Sequence, residues 1–69
     1  MNKPDRLTGV VKFFKEDRGF GFIEVDDGRE IFLHVNQWAE EDYPAKGERV
    51  SFIVDRGTKG PIARQVMRA

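Results

Sequence analysis

Hydrophobic and polar residues alternate along much of this chain with a period of two, the spacing of a strand that turns one face to a core. From Arg18 to Val25, Phe20, Phe22 and Glu24 fall on one face, and Gly21, Ile23 and Val25 on the other. Glu30 to Val35 repeats the arrangement: Glu30, Phe32 and His34 on one face, Ile31, Leu33 and Val35 behind. Asp26, Asp27, Gly28 and Arg29 between them carry an Asp-Gly turn signal, which predicts one antiparallel hairpin. Pairing the two strands collects Phe20, Phe22, Phe32 and His34 on one surface and aliphatic side chains on its reverse.

Three further stretches read as strands. Leu7 to Lys15 alternates imperfectly, so a twist or bulge is expected near Lys12 to Phe14, turning Val11 to the core and Lys12 and Phe13 outward. Arg49 to Asp55 sends Val50, Phe52 and Val54 inward and Ser51 and Ile53 outward; Ile62 to Met67 follows, with Ala63 and Val66 as core candidates. Asn36 to Lys46 is a loop that sets Trp38, Tyr43 and Pro44 among Glu40, Glu41 and Asp42, and Gln37 to Asp42 has room for one helical turn before Pro44. Arg56 to Pro61 is a turn rich in Gly and Pro. Residues 1–6, polar and containing Pro4, read as a flexible tail, and residues 7–69 as one domain. Five short strands without a long helical pattern or a repeat predict an all-β fold, a five-stranded antiparallel barrel whose closure leaves no open edge.

Length decides what the aromatic face is for. A chain of 69 residues buries only about 60% of its unfolded surface and has material for one small core. The rings therefore stay wet, against the competing reading of a sandwich buried on both faces. Phe and His flanked by Lys12, Lys15 and Arg18 suit stacked bases with phosphates nearby. Glycines 19 and 21 are read as leaving the rings uncovered and letting another molecule approach closely.

Net charge is zero, yet residues 1–23 carry +2, 24–48 carry −6 and 49–69 carry +4. Basic ends that converged would form a positive groove; the plainer alternative is a set of solvated faces. Either way a binder that relies on stacking is favoured over an electrostatic, duplex-type one. The chain has no cysteine, which excludes a disulfide framework and a thiolate metal site and suits a reducing compartment. With no apolar run near 18 residues and no apolar segment in Met1 to Leu7, it is expected to be soluble and unprocessed, without a membrane partner.

Arg18-Gly19-Phe20-Gly21-Phe22-Ile23 resembles the first ribonucleoprotein motif, and Ile31-Phe32-Leu33-His34 the second. An RNA recognition motif would need two helices and the opposite motif order. The order here is similar to that of the bacterial cold-shock domain, as are Thr8 to Phe14 and the Lys59-Gly60-Pro61 turn. The resemblance covers about residues 7 to 67. It implies an OB-type barrel that binds single-stranded RNA and DNA with low sequence selectivity and some preference for pyrimidines. Carried over by position, it implies a stacking surface of Lys12, Phe13, Phe20, Phe22, Phe32 and His34. Phe14 and Arg18 would lie beside it, and Tyr43 would stand for a loop aromatic. Departures are visible too. Phe13 stands where Trp is usual, Val35 replaces an aromatic, Trp38 replaces an aliphatic plug, Lys15 replaces a polar amide, and the loop from Tyr43 to Gly47 is shorter.

Other residues keep two readings. His34, the only histidine, lacks a sequence-visible nucleophile or orienting partner, so stacking and hydrogen bonding are preferred to catalysis. Trp38 is read as a packed anchor in preference to a base platform. Asp26, Asp27 and Glu30 fit no EF-hand loop and read as a solvated turn. Glu40, Glu41 and Asp42 are either solvated charges or a fence that repels phosphates. Arg56 and Lys59 are phosphate contacts or ordinary turn charges.

The function read from the sequence is a non-enzymatic, cytoplasmic nucleic-acid chaperone without cofactor or metal. It would keep RNA unpaired and so influence transcription or translation. It is expected to be a monomer, with a strand-exchanged dimer as the variant form. The alternative is a small barrel that takes a peptide on its aromatic face.

Overall fold

Strands form where the alternation places them. The computed structural model describes residues 6–58 and 60–69. They comprise β1 (Leu7–Lys15), β2 (Phe20–Val25), β3 (Glu30–His34), β4 (Arg49–Gly57) and β5 (Gly60–Arg68), with a 3-10 turn at Val35–Gln37. The strands close into a barrel in the order β1-β2-β3-β5-β4, with β4 returning to β1. Four of the five pairings are antiparallel, but β3 and β5 run parallel, with Phe32 opposite Ile62. The barrel is thus mixed, not wholly antiparallel. The cause is the connection from β3, which crosses one end of the barrel through the 3-10 turn and the 39–48 loop before β4 begins.

Side chains inside are those that alternation turned inward. Val11, Ile23, Val25, Ile31, Leu33, Trp38, Val50, Phe52, Ala63 and Val66 form the buried core, with Leu7, Phe14 and Val54 packed against it. The expected bulge in β1 lies between Val11 and Phe13, where the β1–β2 register shifts. A second shift, between Ser51 and Ile53, faces Gln65 and Val66. Gln65 takes φ 52° there, a conformation that costs a non-glycine residue about 1 kcal/mol or more. The extra residue explains why Ala63 and Val66, three apart, both face inward.

Several sequence expectations are corrected here. Arg56, Gly57, Gly60 and Pro61, read as turn, pair with one another at the ends of β4 and β5, and Val35, read as strand, opens the 3-10 turn. Arg18 and Gly19 belong to the turn before β2, not to the strand, and Gly19 has φ 75°. The short helical turn falls at Val35–Gln37 instead of Gln37 to Asp42, because the His34 side chain caps it by accepting the Asn36 N–H and the chain must extend at Trp38 to carry the indole inside. Gly21 makes no opening for a ligand: a Cβ there would lie 2.1 Å from the Phe13 carbonyl oxygen, so its bareness serves the approach of β1. Of the tail read over residues 1–6, only Arg6 is described. Its guanidinium donates to the Ser51 and Gln65 carbonyls at 2.9 and 2.6 Å, tying the start of β1 to the β4–β5 bulge.

Candidate nucleic-acid interface

Two neighbouring strands build the ring face, and the β1 bulge extends it. Phe22 and Phe32 are register partners, as are Phe20 and His34, so four rings lie side by side where β2 and β3 pair. Phe32 is the hub. Its centroid lies 5.8 Å from Phe20 in a stacked arrangement, 5.7 Å from Phe22 edge-on and 6.4 Å from His34. The bulge brings Phe13 opposite Phe22, with ring centroids 5.5 Å apart. All four phenylalanines are half-buried and His34 is exposed, while Ile23, Ile31 and Leu33 behind them are fully buried. Rings supported from below and open above offer π-faces without a rearrangement.

Phe14 takes the other side of the β1 bulge. It packs partly on the core and pairs with Tyr43 at 5.9 Å, a second aromatic station carried by the 39–48 loop. His34 Nδ1 accepts the Asn36 N–H at 3.2 Å and lies 2.8 Å from Asn36 Oδ1. Both contacts engage the same nitrogen, and Nε2 has no partner among the described residues. Beside Phe22 and Phe32, the tip of the β4–β5 hairpin forms a half-open groove of about 480 Å³ lined by Glu30, Gly57, Thr58, Pro61 and Ile62. Arg56 is exposed at this hairpin. Lys59 lies outside the described residues.

Charge is arranged more locally than its distribution along the chain suggests. Lys12 Nζ is ion-paired with Glu30, and that carboxylate raises the lysine pKa, with Glu24 adding to it. The pairing has a physical cause: Glu24 and Glu30 face each other directly across β2 and β3, and Lys12 offsets the repulsion. Lys12 thus stands at the acidic end of the ring face as half of an ion pair. Lys15 and Arg18, at the Phe20 end, have no described carboxylate within ion-pair distance. Two cations of the C-terminal basic stretch are engaged elsewhere. Arg64 is paired with Asp55 at 2.8 Å, and Arg68 with Glu40, Asp42 and Glu48. Asp27 and Glu30, considered as cation ligands with Asp26, are engaged by Arg29 and Lys12.

Trp38 is an anchor. It is 8% exposed, its Nε1 donates to the Asp42 carbonyl, and the Arg68 guanidinium lies 5.2 Å over its ring. Arg68 donates to Asp42 and Glu48, which holds both carboxyls below the usual range. A carboxyl depressed in the folded state stabilises it above the unfolded value and loses that stabilisation as pH falls through the folded one. Thermal melts followed by circular dichroism are therefore expected to be level down to about pH 5 and to fall below about pH 4. Arg68→Gln is expected to lower the neutral plateau and flatten part of the acid limb. A parallel shift at every pH would remove the clamp from the explanation.

Sequence reading did not find Asn36 or Arg68. An Asn two residues beyond a strand-ending His is a local capping signal that reveals the first. Nothing local reveals the second, whose partners lie 20 to 28 residues away.

The profile of the 'Cold-shock' DNA-binding domain matches residues 7–69. Cold shock protein CspV of Vibrio cholerae is 46% identical over 65 residues, covering 90% of this chain and 93% of that protein. Cold shock-like protein CspB of Escherichia coli K12 is 38% identical over 66 residues, covering 91% and 93%. Among solved structures, drosophila Unr CSD456 superposes with a TM-score of 0.80 at 20% identity, over 96% of this chain and 27% of that one, a likeness of fold. Barrel order, paired ring strands and near full-length similarity agree: the chain belongs to the cold-shock domain family.

Proposed function

We propose that this protein binds unpaired RNA and DNA through the ring face of β1 to β3 and acts as a chaperone for them without catalysis. The observation that carries this is the cluster around Phe32, which touches Phe20, Phe22 and His34 and stays open to solvent above a sealed aliphatic layer. Stacking accepts any base, because every base has a π-face, so selectivity is low. Lys15 and Arg18 hold phosphates at the Phe20 end, and Arg56 does so at the β4–β5 hairpin. Glu24 and Glu30 repel phosphate at the other margin and direct the strand's path. A strand held this way cannot re-pair, and mass action shifts weak hairpins toward the open form. In a cell the protein works as a monomer in the cytoplasm, and its effect on transcription or translation follows from keeping transcripts unpaired.

A fluorescence-anisotropy titration of a labelled seven-nucleotide thymidine strand, against its duplex and at two salt concentrations, tests the reading. Binding of the single strand alone with a shallow salt slope supports it. No binding of either nucleic acid moves the aromatic face to a peptide ligand. Val35, half-buried beside Gly19 just after β3, stands where the family resemblance places an aromatic. Val35→Phe is expected to tighten binding about tenfold by adding one stacking contact, measured in the same titration; unchanged affinity would mean that no base reaches this position.

A further inference from the structure

The second aromatic station stands on a loop, where a ring left mobile would lose conformational freedom each time a base landed on it. Tyr43 is 47% exposed and leans on Phe14 at 31°. The segment that carries it is tied down on both sides. Before Tyr43, Trp38 Nε1 donates to the Asp42 carbonyl, and Arg68 Nη2 donates to Asp42 Oδ2 at 2.8 Å. After it, Pro44 is buried, Arg68 Nε donates to Glu48 Oε2, and Glu48 Oε1 accepts the Ala45 N–H at 3.0 Å. Arg68 Nη1 lies 3.7 Å from Glu40, and the guanidinium rests over the Trp38 ring. One side chain at the end of β5 therefore fastens both flanks of Tyr43 to the barrel wall.

We infer that Arg68 is a positioning residue for strand binding: it holds Tyr43 against Phe14 before a nucleic acid arrives, so that a stacking contact forms without ordering the loop. The inference rests on the reading of this chain as a binder of unpaired strands. Arg68 is surrounded by three carboxylates, so it offers no charge to a phosphate. Its removal acts through Tyr43 and leaves the salt dependence of binding alone.

A double-mutant cycle separates these roles. Affinity for the seven-nucleotide thymidine strand is measured for the parent, Arg68→Gln, Tyr43→Ala and the double variant, at two salt concentrations. Asp42→Asn opens the clamp from the exposed loop and leaves β5 intact. Arg68→Gln and Asp42→Asn are each expected to weaken the parent by about threefold to tenfold with an unchanged salt slope. Arg68→Gln is expected to have no further effect once Tyr43 is gone. An equal loss in the Tyr43→Ala background, a slope reduced by one charge, or affinity equal to the parent's overturns the inference. Nuclear Overhauser contacts between the Tyr43 and Phe14 rings are read in the same variants. Their persistence in Arg68→Gln overturns it as well, and their loss with weakened binding supports it. If the parent itself fails to bind the strand, the functional reading falls first, and the cycle makes that visible.

Discussion

Replacing Phe20 and Phe32 together by alanine is expected to weaken binding of the thymidine strand by at least about thirtyfold, from stacking worth about 1–3 kcal/mol per base. Phe32 touches three of the other rings and Phe20 stacks on it at 5.8 Å, so the pair is the centre of the face. The loss is not the sum of two single losses, because each ring also holds the other in place. Neither ring belongs to the sealed core, so the variant is expected to stay folded by circular dichroism. Its salt slope should match the parent's, since no charge was removed. A variant that binds as well as the parent would assign the ring face to something other than bases.

Gly21→Ala is expected to cost the fold about 3 kcal/mol or more, comparable to the whole stability of a core this small. The added Cβ would meet the Phe13 carbonyl oxygen at 2.1 Å and Phe14 Cα at 2.7 Å. Both obstacles are backbone, so relief requires β1 to lift away from β2 at the bulge. That movement separates Phe13 from Phe22 and displaces Phe14, disturbing both aromatic stations together. Urea titration or thermal melting measures the effect. Gly28→Ala supplies the contrast: φ is 91° but no atom lies within 4 Å of the added Cβ, so about 1 kcal/mol is expected. Equal losses at the two positions would mean that β1 yields to the added methyl group and that collision does not govern Gly21.

Gly21 shows where reading the sequence goes astray. A glycine between phenylalanines reads as room for a ligand, yet the neighbour that needs the room is the protein's own β1. The same limit applies to charge. Counted along the chain, the C-terminal stretch is basic; in the fold, Arg64 and Arg68 face carboxylates from β4 and from the loop before it. Even the acidic residues 40 to 42, ambiguous as solvated charges or a phosphate fence, are partly resolved by contact, because Glu40 and Asp42 belong to the Arg68 clamp.

The sequence by itself determined where the five strands lie, though not their ends, which face of each is wet, the bulge in β1 and the burial of Trp38. These follow from period-two alternation, from chain length and from the size of the indole, all local or additive quantities. Only the tertiary structure decided the parallel seating of β3 beside β5, the pairing of Lys12 with Glu30, the engagement of His34 Nδ1 by Asn36 and the Arg68 clamp that holds Tyr43. Each depends on which surfaces meet when the barrel closes. A one-dimensional pattern fixes the side a residue faces, while the partner it meets there is fixed by strand order and register.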